Sequence, residues 1–527
     1  MVILRRGKKG PFADNNTGTS IGKMMVVKIF RLSNFKAIPQ SMKHVHSIGI
    51  IGAGLSGIVT AKTCLEYGYE VKLFEKEAEL GGVWAASRRY AGVTTQNTKD
   101  TYSFSDFPMP KYFPEWPGGE QVQSYLSAYA RKFNVFSLIR CSHEVTGIDF
   151  QDDKWIITGK NAGVQFTEFT DFLIICNGTF SDPFIPELPG MDSFVNAGGE
   201  VLHSTQFHTT EISRGKRIIV VGYSKSAHDV VTAASATAAS AHLVFREAKW
   251  KIPRYVKGVN MKYILLNRLG EALIKPDHHN RMERFVHRLG VPKKMLSFME
   301  KYIRKTQLLT ELDLVPTCGI KEQAFGEITL ETPDFFEKIA KGEIITRQGE
   351  IVSLQGKQVT LAGGGQIEAD LIVFATGFRQ TIPFLPNRYM EKLLDQQGNY
   401  LLYHHILPAG VPALAFVGYN SSIQSPISSE FAALWVCEYL KGRVPRPTDE
   451  QILAEGTEFI RWRMNFRQNS TSRGLSTMPG TIHHVDMLLK EMKASLPFFS
   501  LIPDWLLTIN PARYRQLREK IIGRNDR

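Results

Sequence analysis

Apolar residues in this chain come in short runs, and two of those runs lead straight into glycine. Ser47–Ile51 is five residues long, a length that suits a buried strand and not a helix. After a glycine-rich turn, Ser56–Tyr67 repeats small or apolar residues at Ile58, Ala61 and Leu65, a helical spacing, and Gly68 stops it. Val71–Glu75 is the next apolar run. The same order returns later. Arg217–Val221 reads as a strand, Ser226–Ala239 as an Ala-rich helix and His242–Phe245 as a strand. Two further strands end in small residues, Phe172–Gly178 (FLIICNG) and Leu371–Gly377 (LIVFATG). They read as the points where the chain leaves and re-enters its first domain. The pattern predicts an α/β fold with two Rossmann-like domains, the second inserted into the first. The expected segments are 44–207 and 341–447 for the first domain and 208–340 for the second. A helical tail, 448–527, follows, its apolar stretch broken by Pro497, Pro503 and Pro511.

The turns inside both units carry the chemistry. The first reads Gly52-Ala53-Gly54-Leu55-Ser56-Gly57 and leads to Glu75 and Lys76. In a strand–turn–helix–strand context this is a dinucleotide-binding fingerprint. One glycine makes the turn, one admits the pyrophosphate, and one lets helix pack on strand. The helix N-terminus at Leu55 and Ser56 offers unpaired N–H groups to the anion. The second unit reads Gly222-Tyr223-Ser224-Lys225-Ser226-Ala227 and leads to Arg246. A carboxylate after the second strand suits a ribose 2′-OH, whereas an arginine suits a 2′-phosphate. FAD (or NAD) is expected in the first site and NADPH in the second, with Lys249 or Trp250 joining Arg246. That pairing means flavin redox chemistry.

Composition narrows the setting. No apolar run reaches 18 residues, so no membrane-spanning helix is expected. The cysteines Cys64, Cys141, Cys176, Cys318 and Cys437 form no C-x-x-C, which argues against a zinc site or a dithiol pair. The adjacent pairs His278–His279, His404–His405 and His483–His484 lack metal-ligand spacing. The net charge of +13 is local. Residues 1–47 hold nine Lys/Arg against one acid, and residues 249–305 hold fifteen against four. The expected meanings are attraction for cofactor phosphate or an anionic membrane surface, not nucleic acid. Residues 1–43 are expected to be a disordered basic extension, with an organelle-targeting segment as the alternative to a cytoplasmic protein. Residues 255–310 have helical apolar spacing and are expected to form a substrate lid or to touch a membrane surface.

The chain from Val45 to Gly442 resembles the class B flavin-containing monooxygenases. Besides both fingerprints, Leu80-Gly81-Gly82-Val83-Trp84 and Ser105-Asp106-Phe107-Pro108 look like family motifs, as does Phe374-Ala375-Thr376-Gly377-Phe378. The identifying motif of the family is present as Ala197, Gly199, His203 and Phe207, with its first Phe lost. The resemblance implies a cycle in which NADPH reduces FAD, O₂ forms a C4a-hydroperoxyflavin, and one oxygen passes to a soft nitrogen or sulfur of a small molecule. It implies cofactor contacts at Gly82, Val83, Trp84, Thr376 and Gly377, and a linking role for His203. Animal members place an Asn over the flavin. By register from Lys99 that position is Gln96, with Asn97 beside it, and both are catalytic candidates; Gln versions occur in plant and microbial members. Baeyer–Villiger oxidation and non-oxygenating FAD/NADPH chemistry are the alternatives.

Overall fold

The computed structural model describes residues 45–273, 281–323, 328–420, 422–466 and 481–524. The basic extension 1–43 and the pair His278–His279 lie outside them. Two five-stranded parallel sheets organise the described chain. The first has the order Leu414–Phe416, Phe172–Ile175, Ser47–Ile51, Glu70–Phe74, Ile139–Arg140. The second has the order Ile345–Gln348, Ser240–Phe245, Arg217–Val221, Leu371–Phe374, Glu200–His203. Each fingerprint strand sits at the centre of its sheet. There it is covered on both faces, which is why these strands read as unbroken apolar runs.

The sheets are built alike. Counted along the chain from the fingerprint strand, the third strand of each sheet leads into a three-stranded antiparallel meander, which leads into the fourth strand. The meanders are His143–Gln151, Lys154–Asn161, Val164–Thr170 and Ile351–Gln355, Gln358–Leu361, Gln366–Glu368. This duplication corrects the expected boundaries. Leu371–Phe374 was expected to return to the first domain, yet it pairs with Arg217–Val221 in the second sheet. Glu200–His203, expected in the first domain, is the outer strand of the second sheet. The second sheet therefore draws on residues 200–374, and the first closes only with Leu414–Phe416. FLIICNG and LIVFATG look alike because they hold the same position in two copies of one design.

Helix limits moved less. The first helix is Leu55–Glu66. The second is Lys225–Ala234, shorter than the expected run to Ala239. Its end is set by side chains that compete for backbone: Ser235 Oγ donates to Thr232 O at 2.9 Å, and Thr237 Oγ1 to Thr210 O at 3.0 Å. Ser425–Leu440 is buried on nearly every side, packed against Leu55–Glu66 and Thr481–Glu491. The tail does pack on the body. Arg518 is buried there and pairs with Glu66 and with Glu430. Asp106, in the Ser105–Pro108 motif, pairs with Lys62 and faces Arg518 at 3.6 Å, while Ser105 Oγ donates to Glu430 at 2.7 Å. That motif anchors helices to one another. The 255–310 region is helical, as expected, in Lys262–Leu265, Arg268–Leu273, Arg281–Arg288 and Val291–Thr306.

Candidate active site

A cavity of about 850 Å³ runs between the two glycine loops. Gly52, Gly54, Leu55 and Ser56 line it from the first loop, and Ser224, Lys225 and Ser226 from the second. Glu75, Lys76, Gly82, Val83, Trp84, Gln96, Asn97 and Gly377 also line it. The 255–310 region supplies an apolar wall of Met261, Leu265, Leu266, Leu273, Leu296 and Met299. Gly57, Gly222, Ala227, Arg246 and Thr376 are absent from the lining.

The first loop requires its glycines on contact grounds. Gly52 has φ +102°, and a Cβ there would stand 2.6 Å from Cys176 O. A Cβ on Gly57 would stand 1.8 Å from Gly52 O, so helix and turn touch backbone to backbone. A Cβ on Gly82, at φ +58°, would stand 3.0 Å from Gly54 Cα, whereas one on Gly54 would meet Gly82 Cα at an ordinary 3.5 Å, so the packing need for glycine lies at Gly82. Glu75 is buried. Ala53 N–H donates to its Oε2 at 2.7 Å and Glu77 N–H to its Oε1 at 2.9 Å. Burial raises its pKa, against the pull of those two N–H groups. Each oxygen keeps a lone pair for a ligand hydroxyl. Val83 is 40 % exposed into this space. Trp84 donates from Nε1 to Tyr102 OH at 3.2 Å, edge-on to that ring.

The second loop repeats the backbone. Gly222 has φ +128°, and its Cβ would meet Ala375 O at 2.6 Å, as Gly52 meets Cys176. Ala227 is fully buried in the place of Gly57. The registers differ by one residue. Gly52 N–H donates to Phe74 O at 2.7 Å, but Gly222 N–H donates to Val244 O at 2.9 Å. The residue matching Glu75 is therefore Phe245, whose ring is buried against Tyr223, and Arg246 matches Lys76. Arg246 is 77 % exposed at the strand end and pairs with Glu350. One expectation is corrected here. Trp250 is buried, with Nε1 bonded to Cys318 O at 2.7 Å, and offers no stacking face. Lys225 is buried and its charge is met by Asp229, which also accepts from Tyr90 OH at 3.0 Å and Thr332 Oγ1 at 2.5 Å. A second buried cation, Lys251, donates to Tyr223 O at 2.7 Å and Thr329 Oγ1 at 2.9 Å. Burial, then Lys225, brings its pKa down to about 7.

Between the loops the order of Gln96 and Asn97 reverses. Gln96 Oε1 accepts Leu330 N–H at 3.1 Å and so ties the two halves together. Asn97 lines the cavity but is only 2 % exposed, and its Nδ2 is buried without a hydrogen-bond partner. A buried amide donor without a partner costs free energy that a ligand acceptor would recover. His203 is buried; its Nε2 donates to Gly377 O at 3.0 Å, its Nδ1 accepts Thr205 N–H at 3.3 Å and lies 3.0 Å from Thr205 Oγ1, and burial lowers its pKa. Thr376 Oγ1 bonds Phe184 O, behind the cavity wall.

Sequence reasoning missed the wall that follows Leu414–Phe416. Gly418, Asn420, Ser422 and Gln424 line the cavity, and Gln424 Nε2 is buried without a partner. The signal was there in Phe416-Val417-Gly418, a third strand ending in a small residue. The histidine pairs have local partners. His404 Nδ1 faces Glu455 at 2.8 Å, and His483 bridges Glu271 (2.8 Å) and Glu283 (2.6 Å).

Two duplicated parallel sheets whose glycine loops open on one shared cavity define a flavoprotein oxidoreductase with two dinucleotide sites. Residues 45–507 match the family model described as Flavin-binding monooxygenase-like, and the chain belongs to that family. Its cofactors are FAD and NADP(H). The glycine cradle, the Glu75 carboxylate and the unpartnered Asn97 amide fit such ligands. Flavin-containing monooxygenase 2 of Homo sapiens is 27% identical over 487 residues, covering 86% of this chain and 84% of its own. Among solved structures, S-allyl-L-cysteine S-oxygenase from Allium sativum superposes with a TM-score of 0.59 at 18% identity, covering 92% of this chain and 99% of that one. A cyclohexanone monooxygenase variant from Rhodococcus sp. Phi1 bound to NADP+ gives 0.64 at 18% identity, covering 85% and 97%. Among the described residues, no helix is long and apolar enough to cross a membrane.

Proposed function

We propose that the protein uses NADPH and O₂ to place one oxygen atom on a soft nitrogen or sulfur nucleophile of a small molecule. The observation that carries this reading is the single cavity shared by the two glycine loops, with Gln96 and Asn97 in its lining. FAD, when bound and reduced by NADPH, supplies the oxygen-transfer chemistry. The chain supplies placement. In this reading the first sheet is the FAD domain. The N–H groups at Leu55 and Ser56 hold the pyrophosphate, Glu75 accepts from a ribose hydroxyl, and Gly82 to Trp84 cover the ligand. The second sheet is the NADPH domain, with Gly222, Ser224 and Ser226 at the pyrophosphate and Arg246 at the 2′-phosphate. Gly377 sits where the two meet. Asn97 donates its amide N–H at the reacting edge, and Gln96 fixes the second half against it. The apolar wall from 255–310 keeps water out of the reaction space.

A Baeyer–Villiger reading has one observation in its favour. Arg88 lines the cavity and donates to Phe180 O at 2.6 Å, so a guanidinium is at hand for an anionic oxygen donor. Anaerobic reduction of the flavin by NADPH followed by rapid mixing with O₂ tests the class. A lasting absorbance band before reoxidation supports oxygen transfer, and immediate reoxidation rejects it. Product analysis then separates N- or S-oxide from ester. The outer face of the 255–310 helices exposes Phe285, Leu289 and Phe298 among basic residues, which supports contact with an anionic membrane surface. Vesicle binding that weakens with salt is expected from it.

A further inference from the structure

Arg246 does not stand free at the end of its strand. Its Nε lies 2.8 Å from Glu350 Oε1, with the two side chains 77 % and 56 % exposed. The pair is set by the sheet. Phe245 pairs in register with Gln348, Gln348 Nε2 donates to Arg246 O at 3.1 Å, and Gly349 N–H donates to Phe245 O at 2.8 Å. Glu350 follows at once, its own carbonyl accepting Ala362 N–H at 2.8 Å. The backbone of Glu350 is thus pinned beside Arg246, while its side chain stays open to solvent.

The one-residue shift between the loops gives this pair its meaning. At the first loop the carboxylate is Glu75, buried and bonded to the turn itself. At the second loop that position is Phe245, so no acid faces the ribose from beneath. The acid that engages the arginine comes instead from the turn after the neighbouring strand, while Glu247, next in the chain, is taken up by Lys249 and Thr317. An incoming 2′-phosphate and the Glu350 carboxylate seek the same guanidinium, and both are anions.

We propose that Glu350 is a specificity-determining residue that competes with the 2′-phosphate of NADP(H) for Arg246 and so sets the preference for NADP(H) over NAD(H). This rests on the reading that Arg246 takes that phosphate. Glu350 holds the guanidinium when the site is empty and swings away when the phosphate arrives. NADP(H) is thereby bound less tightly than Arg246 alone would hold it, which favours release of the oxidised cofactor. NAD(H), lacking the phosphate, has no quarrel with Glu350.

Calorimetric titration of the FAD-loaded protein with NADP⁺ and NAD⁺ tests this in Glu350→Gln and Arg246→Gln. Glu350→Gln is expected to lower the Kd for NADP⁺ about fivefold, the worth of one exposed charge pair, and to leave that for NAD⁺ within about twofold. No tightening for NADP⁺, or equal tightening for both nucleotides, overturns the role of Glu350. Arg246→Gln is expected to weaken NADP⁺ alone. If it leaves NADP⁺ unchanged, the phosphate reading itself falls and the proposal with it. If it weakens NADP⁺ while Glu350→Gln tightens nothing, only the Glu350 role falls.

Discussion

The first glycine loop packs backbone on backbone at three points, at Cys176, at Gly82 and within itself at Gly57, over a buried carboxylate. The second keeps only the first of those contacts, Gly222 on Ala375, and carries Ser224 and Ala227 where the first has glycine. It has an aromatic ring in place of the carboxylate and an exposed arginine one residue on. One loop is hemmed in by other backbone. The other is open, with its charge at the rim. That is what a cofactor held through every turnover and a cofactor that comes and goes require of the same fold.

The sharpest way to break this comparison is at the third position. Gly57→Ala puts a Cβ against Gly52 O, where 1.8 Å is available. The turn must open, at a cost above about 3 kcal/mol, and the protein is expected to purify without flavin. Ala227→Gly at the matching place is expected to cost at most about 1 kcal/mol, the helix propensity difference. Flavin absorbance and thermal melting of both variants measure this. Equal losses would mean the loops are packed alike.

The two halves are also fastened differently, which pH exposes. His483 joins the insertion of the second half to the C-terminal helices through Glu271 and Glu283. Burial alone would lower its pKa, but the hydrogen bonds and charges of the two glutamates outweigh that and raise it from 6.5 to about 10. A group whose folded pKa is raised stabilises fully below its unfolded value and loses that contribution as pH rises through the folded one. Between pH 6.5 and 10 the protein is expected to lose up to about 4 kcal/mol that His483→Gln does not lose. Urea midpoints of both proteins across that window decide it, and parallel curves would reject the clamp.

A smaller effect separates Asn97 from Gln96. Asn97→Ala removes the unpartnered donor and is expected to raise uncoupled peroxide release about tenfold, one lost hydrogen bond to a ligand, while NADPH still reduces the flavin. Gln96→Ala frees Leu330 N–H and is expected to change NADPH affinity more than coupling. The reverse pattern would restore Gln96 to the reacting edge.

Much of this was legible beforehand. Period and glycine placement gave both β-α-β units, and Ser47–Ile51 and Arg217–Val221 match to the residue. Parallel central strands are apolar on both faces, so they stand out against everything around them. What was not legible is which sheet a short apolar strand joins. FLIICNG and LIVFATG carry the same local signal, and only pairing tells them apart. The site split the same way. The glycine spacing is readable because it is set by the turn, whereas the fates of Gln96 and Trp250 depend on Leu330 and Cys318, 234 and 68 residues away in sequence.

The mildest substitution asks most directly whether the second loop is open by design. Ser224 precedes its helix with φ −79°, a conformation any residue adopts, and its Oγ bonds Ser226 Oγ at 3.0 Å on the exposed side. Gly54 has Gly82 Cα 3.5 Å from where its Cβ would be, an ordinary contact. Steric need for glycine lies at Gly52, Gly57 and Gly82 around the first loop and at Gly222 in the second, so the third residue of the fingerprint, Gly54 or Ser224, is set by the ligand and not by packing. Ser224→Gly is expected to shift the NADP⁺ Kd by less than about threefold, since exchanging serine for glycine before a helix costs a few tenths of a kcal/mol. Gly54→Ser is expected to lower flavin content sharply. A tenfold gain in NADP⁺ affinity from Ser224→Gly would show that the serine obstructs its ligand, and the two loops would then be one device with a flaw, not two devices with different tasks.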